Sequence, residues 1–154
     1  MIKSAGLLAF RRFKKTKILL VHPGGPFYKN KDDGVWSIPK GEYTEEEKPL
    51  DVAKREFFEE TGNIITSTSF IKLPDVKTKG GKLITSWAVE CNEELSFICS
   101  NMFEIEWPPK SGKKAFFPEV DKAEWFSLDE ARKKINSSQI KLIDELESML
   151  QQGV

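Results

Sequence analysis

The chain has 154 residues, of which 39% are hydrophobic and 31% charged, the make-up of an ordinary globular protein rather than a disordered or fibrous one. Its 24 basic and 24 acidic residues give a formal net charge of +0, so there is no global pull toward nucleic acid or an anionic membrane surface. The length fits a single domain over 1–154, and no apolar run approaches the ~20 residues of a spanning helix. Cys91 and Cys99 form neither a metal motif nor a disulfide framework. Both are expected as reduced thiols. Ala5 to Phe10 is too short for a signal-peptide core, so a cytoplasmic location is expected.

Ser4 to Phe13 and Lys17 to Val21 read as neighbouring strands joined by the polar turn Lys14-Lys15-Thr16. Arg11 and Arg12 end the first strand, where a guanidinium can meet a phosphate or a base or simply face water. His22 to Gly34, with Pro23-Gly24-Gly25-Pro26 and Asp32-Asp33-Gly34, reads as a long loop. It can wall a pocket and offer Phe27 or Tyr28 for stacking. His22, the only histidine, is expected to be structural. Val35 to Pro39 is expected as a short strand, with Trp36 in the core.

Gly41 to Asn63 organises the chain. On a helix, Glu56, Glu59 and Glu60 stand at i, i+3 and i+4, so three carboxylates share one face. Like charges at that spacing cost an isolated helix roughly 0.2–0.5 kcal/mol a pair, a cost that a bound cation relieves. An all-oxygen donor set without Cys or His suits Mg²⁺, Mn²⁺ or Ca²⁺ better than zinc. Leu50, Ala53 and Phe57 form the apolar stripe beside it. Pro49 is tolerable only in a first turn, Thr44 and Glu47 have capping-box spacing, and Gly62 is placed to cap the C-terminus.

Gly41, Glu47, Arg55-Glu56-Phe57, Glu59-Glu60 and Gly62, in that register and preceded by Trp36-Ser37-Ile38-Pro39-Lys40, resemble the Nudix box. The family's pattern continues with an aliphatic residue where Asn63 stands, a departure that concerns packing rather than ligation. The resemblance is to the diadenosine-tetraphosphate-hydrolase-like and general nucleotide pyrophosphohydrolase branches. It implies an α+β fold: a Nudix-type α/β/α sandwich around a mixed sheet. It implies Glu56, Glu59, Glu60 and the Gly41 carbonyl as metal ligands, and Lys40 as a phosphate contact. Arg55 would orient the carboxylates, with Glu47 in the same network.

Beyond the box, Ser67 to Thr78 and Lys82 to Cys91 read as strands joined at Gly80-Gly81. Ser96 to Trp107 alternates like another strand and carries Glu104 and Glu106, which could join a metal site or face water. Pro108 to Lys114 is a basic loop. In many Nudix hydrolases a glutamate from a region like Phe116 to Phe126 is the base or an extra ligand. Glu119 is the first choice here and Glu124 the second. Ser127 with Glu130 opens a helix through about Ile135, and Ile140, Ile143, Leu146 and Leu150 mark a last one.

The expected activity is Mg²⁺-dependent hydrolysis, with Mn²⁺ a possible substitute, of a phosphoanhydride bond in a nucleoside diphosphate derivative. A dinucleoside polyphosphate or a nucleoside triphosphate is favoured. Catalytic roles fall to Arg55, Glu56, Glu59 and Glu119, and substrate contacts to Lys40, Arg11 and Tyr28. The expected partner is a small nucleotide, with no stable nucleic-acid partner and no membrane. The rival class is a non-catalytic Nudix-fold module that senses a nucleotide or binds RNA. Without a Gly-x₄-Gly-Lys-Ser/Thr phosphate loop or an EF-hand loop, the P-loop and calcium-loop readings have no support.

Overall fold

The computed structural model describes residues 1–92, 95 and 100–153. The main sheet is mixed and orders its strands β4 (Phe70–Lys72), β6 (Leu83–Glu90), β1 (Lys3–Arg11), β2 (Lys17–Pro23) and β9 (Val120–Ser127). β3 (Lys40–Tyr43) pairs with β1, and β5 (Val76–Lys77) with β6. β1 and β6 are parallel, which requires a crossover, and α1 (Pro49–Thr61) lies within that connection. β7 (Met102–Glu106) and β8 (Lys114–Pro118) form a separate antiparallel hairpin. α2 (Leu128–Lys134), a 3₁₀ turn (Ser137–Gln139) and α3 (Ile140–Gln151) complete the described elements.

β1 is buried on both faces, so it reads as a continuous apolar run rather than an alternation. Its odd positions Ala5, Leu7 and Ala9 meet Val52, Ala53 and Phe57 of α1. Its even positions Leu8 and Phe10 meet Ala131 and Leu142, Ile143 and Leu146 of α2 and α3. Helices thus cover both faces of the central strands, the expected α/β/α sandwich. Among the described residues, no helix is long and apolar enough to cross a membrane.

The sheet is split where the site lies. β2 pairs with the far end of β1, at Phe10 and Arg11, whereas β3 takes Lys3 to Gly6. Ser37 to Pro39 is wedged into the gap: Val21 and Ser37 exchange main-chain hydrogen bonds at 2.9 and 3.0 Å, and the Leu7 N–H reaches the Pro39 carbonyl at 3.2 Å. Gly6 makes this close approach possible, since a Cβ there would stand 2.6 Å from the Pro39 carbonyl oxygen.

Several boundaries differ from the sequence reading. Val35 to Pro39 is not a strand; it is held by isolated bridges Val21–Ser37 and Trp36–Ile135, and regular pairing starts at Lys40. The first strand ends at Arg11, leaving Phe13 exposed in the turn. Ser67 to Thr78 divides into β4 and β5 around Leu73-Pro74-Asp75, because proline cannot donate to the ladder. Thr44 and Glu47 close a turn ahead of α1, whose N-cap is Lys48; Pro49 does occupy the first turn. The strand expected from Ser96 begins at Met102 among the described residues, and Ser96 to Cys99 lie outside them.

Candidate active site

Gly62 ends α1 in the left-handed conformation (φ 81°), with its N–H on the Phe58 carbonyl at 2.7 Å. The helix buries Val52, Ala53 and Phe57, which turns Glu56, Glu59 and Glu60 toward the split in the sheet. Gly41 lies against them. A Cβ at Gly41 would fall 2.0 Å from the Glu56 carboxyl carbon, so only glycine leaves room for that carboxylate. Arg55 reaches Glu47 at 3.1 Å, Glu59 at 3.7 Å and Glu56 at 3.8 Å. Glu47 in turn accepts from the Thr44 N–H at 3.0 Å, and these bonds hold its carboxyl below the usual range. Arg55 is therefore placed to orient carboxylates.

The electrostatics match a crowd of anions. Burial, then the charge of Glu59, pushes Glu56 up to about 7 against the opposing pull of Arg55. Burial pushes Glu60 up to about 8, with Lys40 working against it. Lys40 is pushed down by its own burial while Glu60 holds it up. Glu119, at the bend between β8 and β9, is raised by burial and then by Glu59. Four carboxyls from two distant parts of the chain thus feel one another.

Glu60 and Glu119 line a cleft of about 360 Å³, together with Lys40, Tyr28, Asn136 and Ser138, whereas Glu56 and Glu59 are not among its lining residues. The Gln139 amide, also on the wall, is committed: its oxygen accepts from the Ile38 N–H at 3.1 Å and its nitrogen donates to Ser37 Oγ at 3.0 Å. The loop forming another wall is fastened at both ends. His22 is buried between Asp121 at 2.7 Å and the Lys31 carbonyl at 2.6 Å, and Asp32 accepts from the Trp36 indole at 2.8 Å and from Lys134 at 2.6 Å. His22 is therefore a structural residue and Trp36 a core one.

Not every expected residue reaches this place. The Arg11 guanidinium lies over the Trp125 ring, 4.5 Å from its centroid, and does not line the cleft. Arg12 makes a paired contact with Glu90, both bonds at 2.7 Å. Glu124 is exposed on β9 opposite Leu20, and Glu104 pairs with Lys114 at 3.3 Å on the hairpin. Phe27 leans edge-on against Trp107 with centroids 5.5 Å apart, whereas Tyr28 faces the cleft wall. The sequence reading missed Ser37, Asn136 and Ser138 as lining residues. Asn136-Ser137-Ser138 matches a glycosylation sequon in the sequence, a pattern that does not point to a cleft wall.

The donor set fits a hard divalent cation. It is all oxygen, Gly41 leaves open the space that Glu56 fills, and among the described residues the charges that oppose the raised carboxyls are Arg55 and Lys40. Among the described residues no three His, Cys, Asp or Glu side chains are grouped so as to hold a metal ion without rearrangement. Glu60 is drawn to the Lys40 main chain, and Glu56 and Glu59 to Arg55. An open arrangement suits Mg²⁺, which keeps several waters and takes few protein carboxylates.

Comparison with known proteins identifies the family. Residues 2–146 match the NUDIX domain family. An RNA pyrophosphohydrolase of Bartonella henselae is 30% identical over 148 residues, covering 82% of this chain and 76% of that protein. The one of Bartonella tribocorum is 34% identical over 110 residues, but the matched part spans only 57% of its length. Among solved structures, a C. elegans Ap4A hydrolase binary complex superposes with a TM-score of 0.64 at 20% identity, covering 98% of each chain. The NUDIX domain of Shewanella oneidensis NrtR complexed with ADP ribose gives a TM-score of 0.67 at 16% identity, covering 97% of this chain and 88% of that one. At such identities these two establish the fold alone. With the box register, the sandwich and the family match in agreement, the chain belongs to the NUDIX domain family.

Proposed function

We propose that the protein is a Mg²⁺-dependent pyrophosphohydrolase that cleaves a phosphoanhydride bond in a nucleotide. The observation that carries this reading is that Glu60, Glu119 and Lys40 line a nucleotide-sized cleft while Glu56 and Glu59 are close enough to raise the carboxyls beside them. A volume of about 360 Å³ lies toward the lower end of the ~300–1,000 Å³ usual for small-molecule sites, which suits one nucleoside with its phosphates leading to the carboxylates.

Glu56, Glu59, Glu60 and the Gly41 carbonyl would hold the cation, which when bound neutralises phosphate charge and acidifies water. Carboxylates alone would repel a polyphosphate. Arg55 keeps the box carboxylates in register through its ion pairs. Lys40 offers its ammonium to a phosphate oxygen at the cleft end. Glu119 serves as general base, taking a proton from the attacking water as its oxygen bonds to phosphorus and the bridging P–O bond breaks. Tyr28 supplies a ring for the base to lie against, and Asn136 and Ser138 supply polar groups for its edge. Arg11, held on Trp125, has no part in this scheme. The cytoplasm is the compartment in which such substrates and reduced thiols would be met.

A dinucleoside polyphosphate or a nucleoside triphosphate is the favoured substrate. The RNA pyrophosphohydrolases among the relatives add a second, the 5′-phosphorylated end of an RNA. Purified protein would be incubated with diadenosine tetraphosphate, nucleoside triphosphates, ADP-ribose and a 5′-triphosphorylated oligoribonucleotide, each with Mg²⁺ or with EDTA. Mg²⁺-dependent cleavage is expected. Release of ATP plus AMP as the fastest reaction would name the dinucleotide, and release of pyrophosphate from the RNA would name the second substrate. Tight nucleotide binding in EDTA with no turnover in Mg²⁺ would overturn the enzyme reading in favour of a sensing module.

The raised carboxyls also fix a pH dependence. Glu56 and Glu60 ionise near 4.5 when unfolded and at about 7 and 8 in the folded, metal-free protein. Between those values the native state holds protons that the unfolded state has released. The contribution of these two groups to metal-free stability is therefore full below about pH 4.5 and falls as pH rises toward 8. A cation that binds the ionised forms works in the opposite sense, so its affinity should climb through the same window. Melting temperatures from pH 5.5 to 8.5 should fall in EDTA, and the increment from added Mg²⁺ should grow with pH. An increment that stays flat across the range would count against these carboxylates as ligands.

A further inference from the structure

We propose that the Ser100 hydroxyl, acting with the main chain of Gly24 and Asn101, is a positioning device that sets Glu119 against the box helix. The inference rests on the reading of Glu119 as general base. Glu119 sits at a bend, where no ladder fixes its backbone. Yet its main chain is gripped on both sides. Its N–H donates to the Asn101 carbonyl at 2.8 Å, and its carbonyl accepts from the Gly24 N–H at 2.8 Å. The next N–H, of the buried Val120, donates to Ser100 Oγ at 3.0 Å. Ser100 Oγ also lies 3.2 Å from the Asn101 carbonyl, to which it donates. One hydroxyl therefore braces both the bend and the carbonyl that holds the bend.

The grip reaches the box. The Asn101 N–H donates to the Glu59 carbonyl at 3.1 Å. That carbonyl belongs to the last turn of α1, whose final acceptors have no partner within the helix. Glu59 is thus tied to the backbone of Glu119 by two hydrogen bonds in series, one to the Asn101 N–H and one to the Asn101 carbonyl. Gly24 closes the other side. A Cβ there would stand 1.9 Å from the Pro118 carbonyl oxygen, a main-chain atom that cannot swing away. Among the described residues Ser100 is the side chain that supplies a hydrogen bond within the grip, so it can be changed without touching a group that meets substrate.

Removing the hydroxyl leaves the Val120 N–H without its acceptor, and the bend shifts to find another. A displacement of about 1 Å at a catalytic group can lower a rate by up to roughly 100-fold. Ser100→Ala should lower kcat by roughly ten- to a hundredfold while KM stays within about twofold, and Ser100→Thr, which keeps the hydroxyl, should restore most of it. Amide hydrogen exchange at Val120 should quicken in Ser100→Ala and not in Ser100→Thr, which reads the grip without turnover. In a Glu119→Gln background, Ser100→Ala should cost little further, because the group it positions is already lost. Equal losses in both backgrounds would show a general structural role and overturn the inference. Unchanged Val120 exchange in Ser100→Ala would overturn the grip alone. Near-normal turnover in Glu119→Gln by itself would overturn the general-base reading, and the inference with it.

Discussion

Glu59→Gln is expected to lower turnover by roughly 10²–10³-fold with almost no change in melting temperature, because several kcal/mol of charge stabilisation in the transition state convert at about 1.36 kcal/mol per tenfold in rate. The substitution keeps shape and removes one anionic ligand. Its structural cost is small. Glu59 pairs with Arg55 only at 3.7 Å on a half-exposed surface, and such pairs contribute at most about 0.5 kcal/mol on a helix. It also relieves a repulsion, since the charge of Glu59 helps to push Glu56 upward. The metal-free variant should therefore be at least as stable as the parent, and its gain from Mg²⁺ should shrink. Steady-state kinetics beside thermal melts in EDTA and in Mg²⁺ would read both effects. Turnover within about threefold of the parent would remove Glu59 from the site.

Gly41→Ala should separate folding from function still more sharply. Gly41 does not need positive φ, so alanine can adopt its backbone conformation. Such a replacement can add about 0.4–1 kcal/mol of stability by restricting the unfolded chain. The obstacle is local: the new Cβ would lie 2.0 Å from the carboxyl carbon of Glu56 and 2.3 and 2.4 Å from its oxygens. Those atoms are the free end of a flexible side chain. Glu56 can swing aside at little cost to the fold, but it then leaves the position in which it faces Glu59 and Glu60. Turnover should fall roughly 10–100-fold, with weaker response to Mg²⁺, while the melting temperature holds or rises. The Gly41 carbonyl persists in the variant, so a loss would report on Glu56. A variant with full turnover and unchanged Mg²⁺ response would show that the Glu56 carboxylate does not need this space.

The box was legible in the sequence because its logic is local. The spacing of Glu56, Glu59 and Glu60 on a helix, the stripe of Leu50, Ala53 and Phe57, Pro49 at the start and Gly62 at the end follow from 3.6-residue periodicity and capping chemistry. The tandem apolar strands and the two closing helices were legible for the same reason. Boundaries failed where a partner distant in sequence decides. Trp36 and Ser37 look β-compatible, but their partners are Ile135 on one side and Val21 on the other, so they make bridges instead of a strand.

The candidate site divides along the same line. The carboxylate face and the expectation of a hard cation came from residues close in sequence, and the family register of Gly41, Arg55 and Gly62 sharpened both. The tertiary structure alone decided that Arg11 is spent on Trp125 while Lys40 and Tyr28 reach the cleft. It also decided that Gly41 is a glycine for the sake of Glu56, and that Glu119 rather than Glu124 faces the box. The physical reason is that periodicity fixes which side of its own element a residue occupies. Which groups share a low-dielectric cleft depends on how β1 divides its edge between β2 and β3, and on the main-chain hydrogen bonds that close across that split.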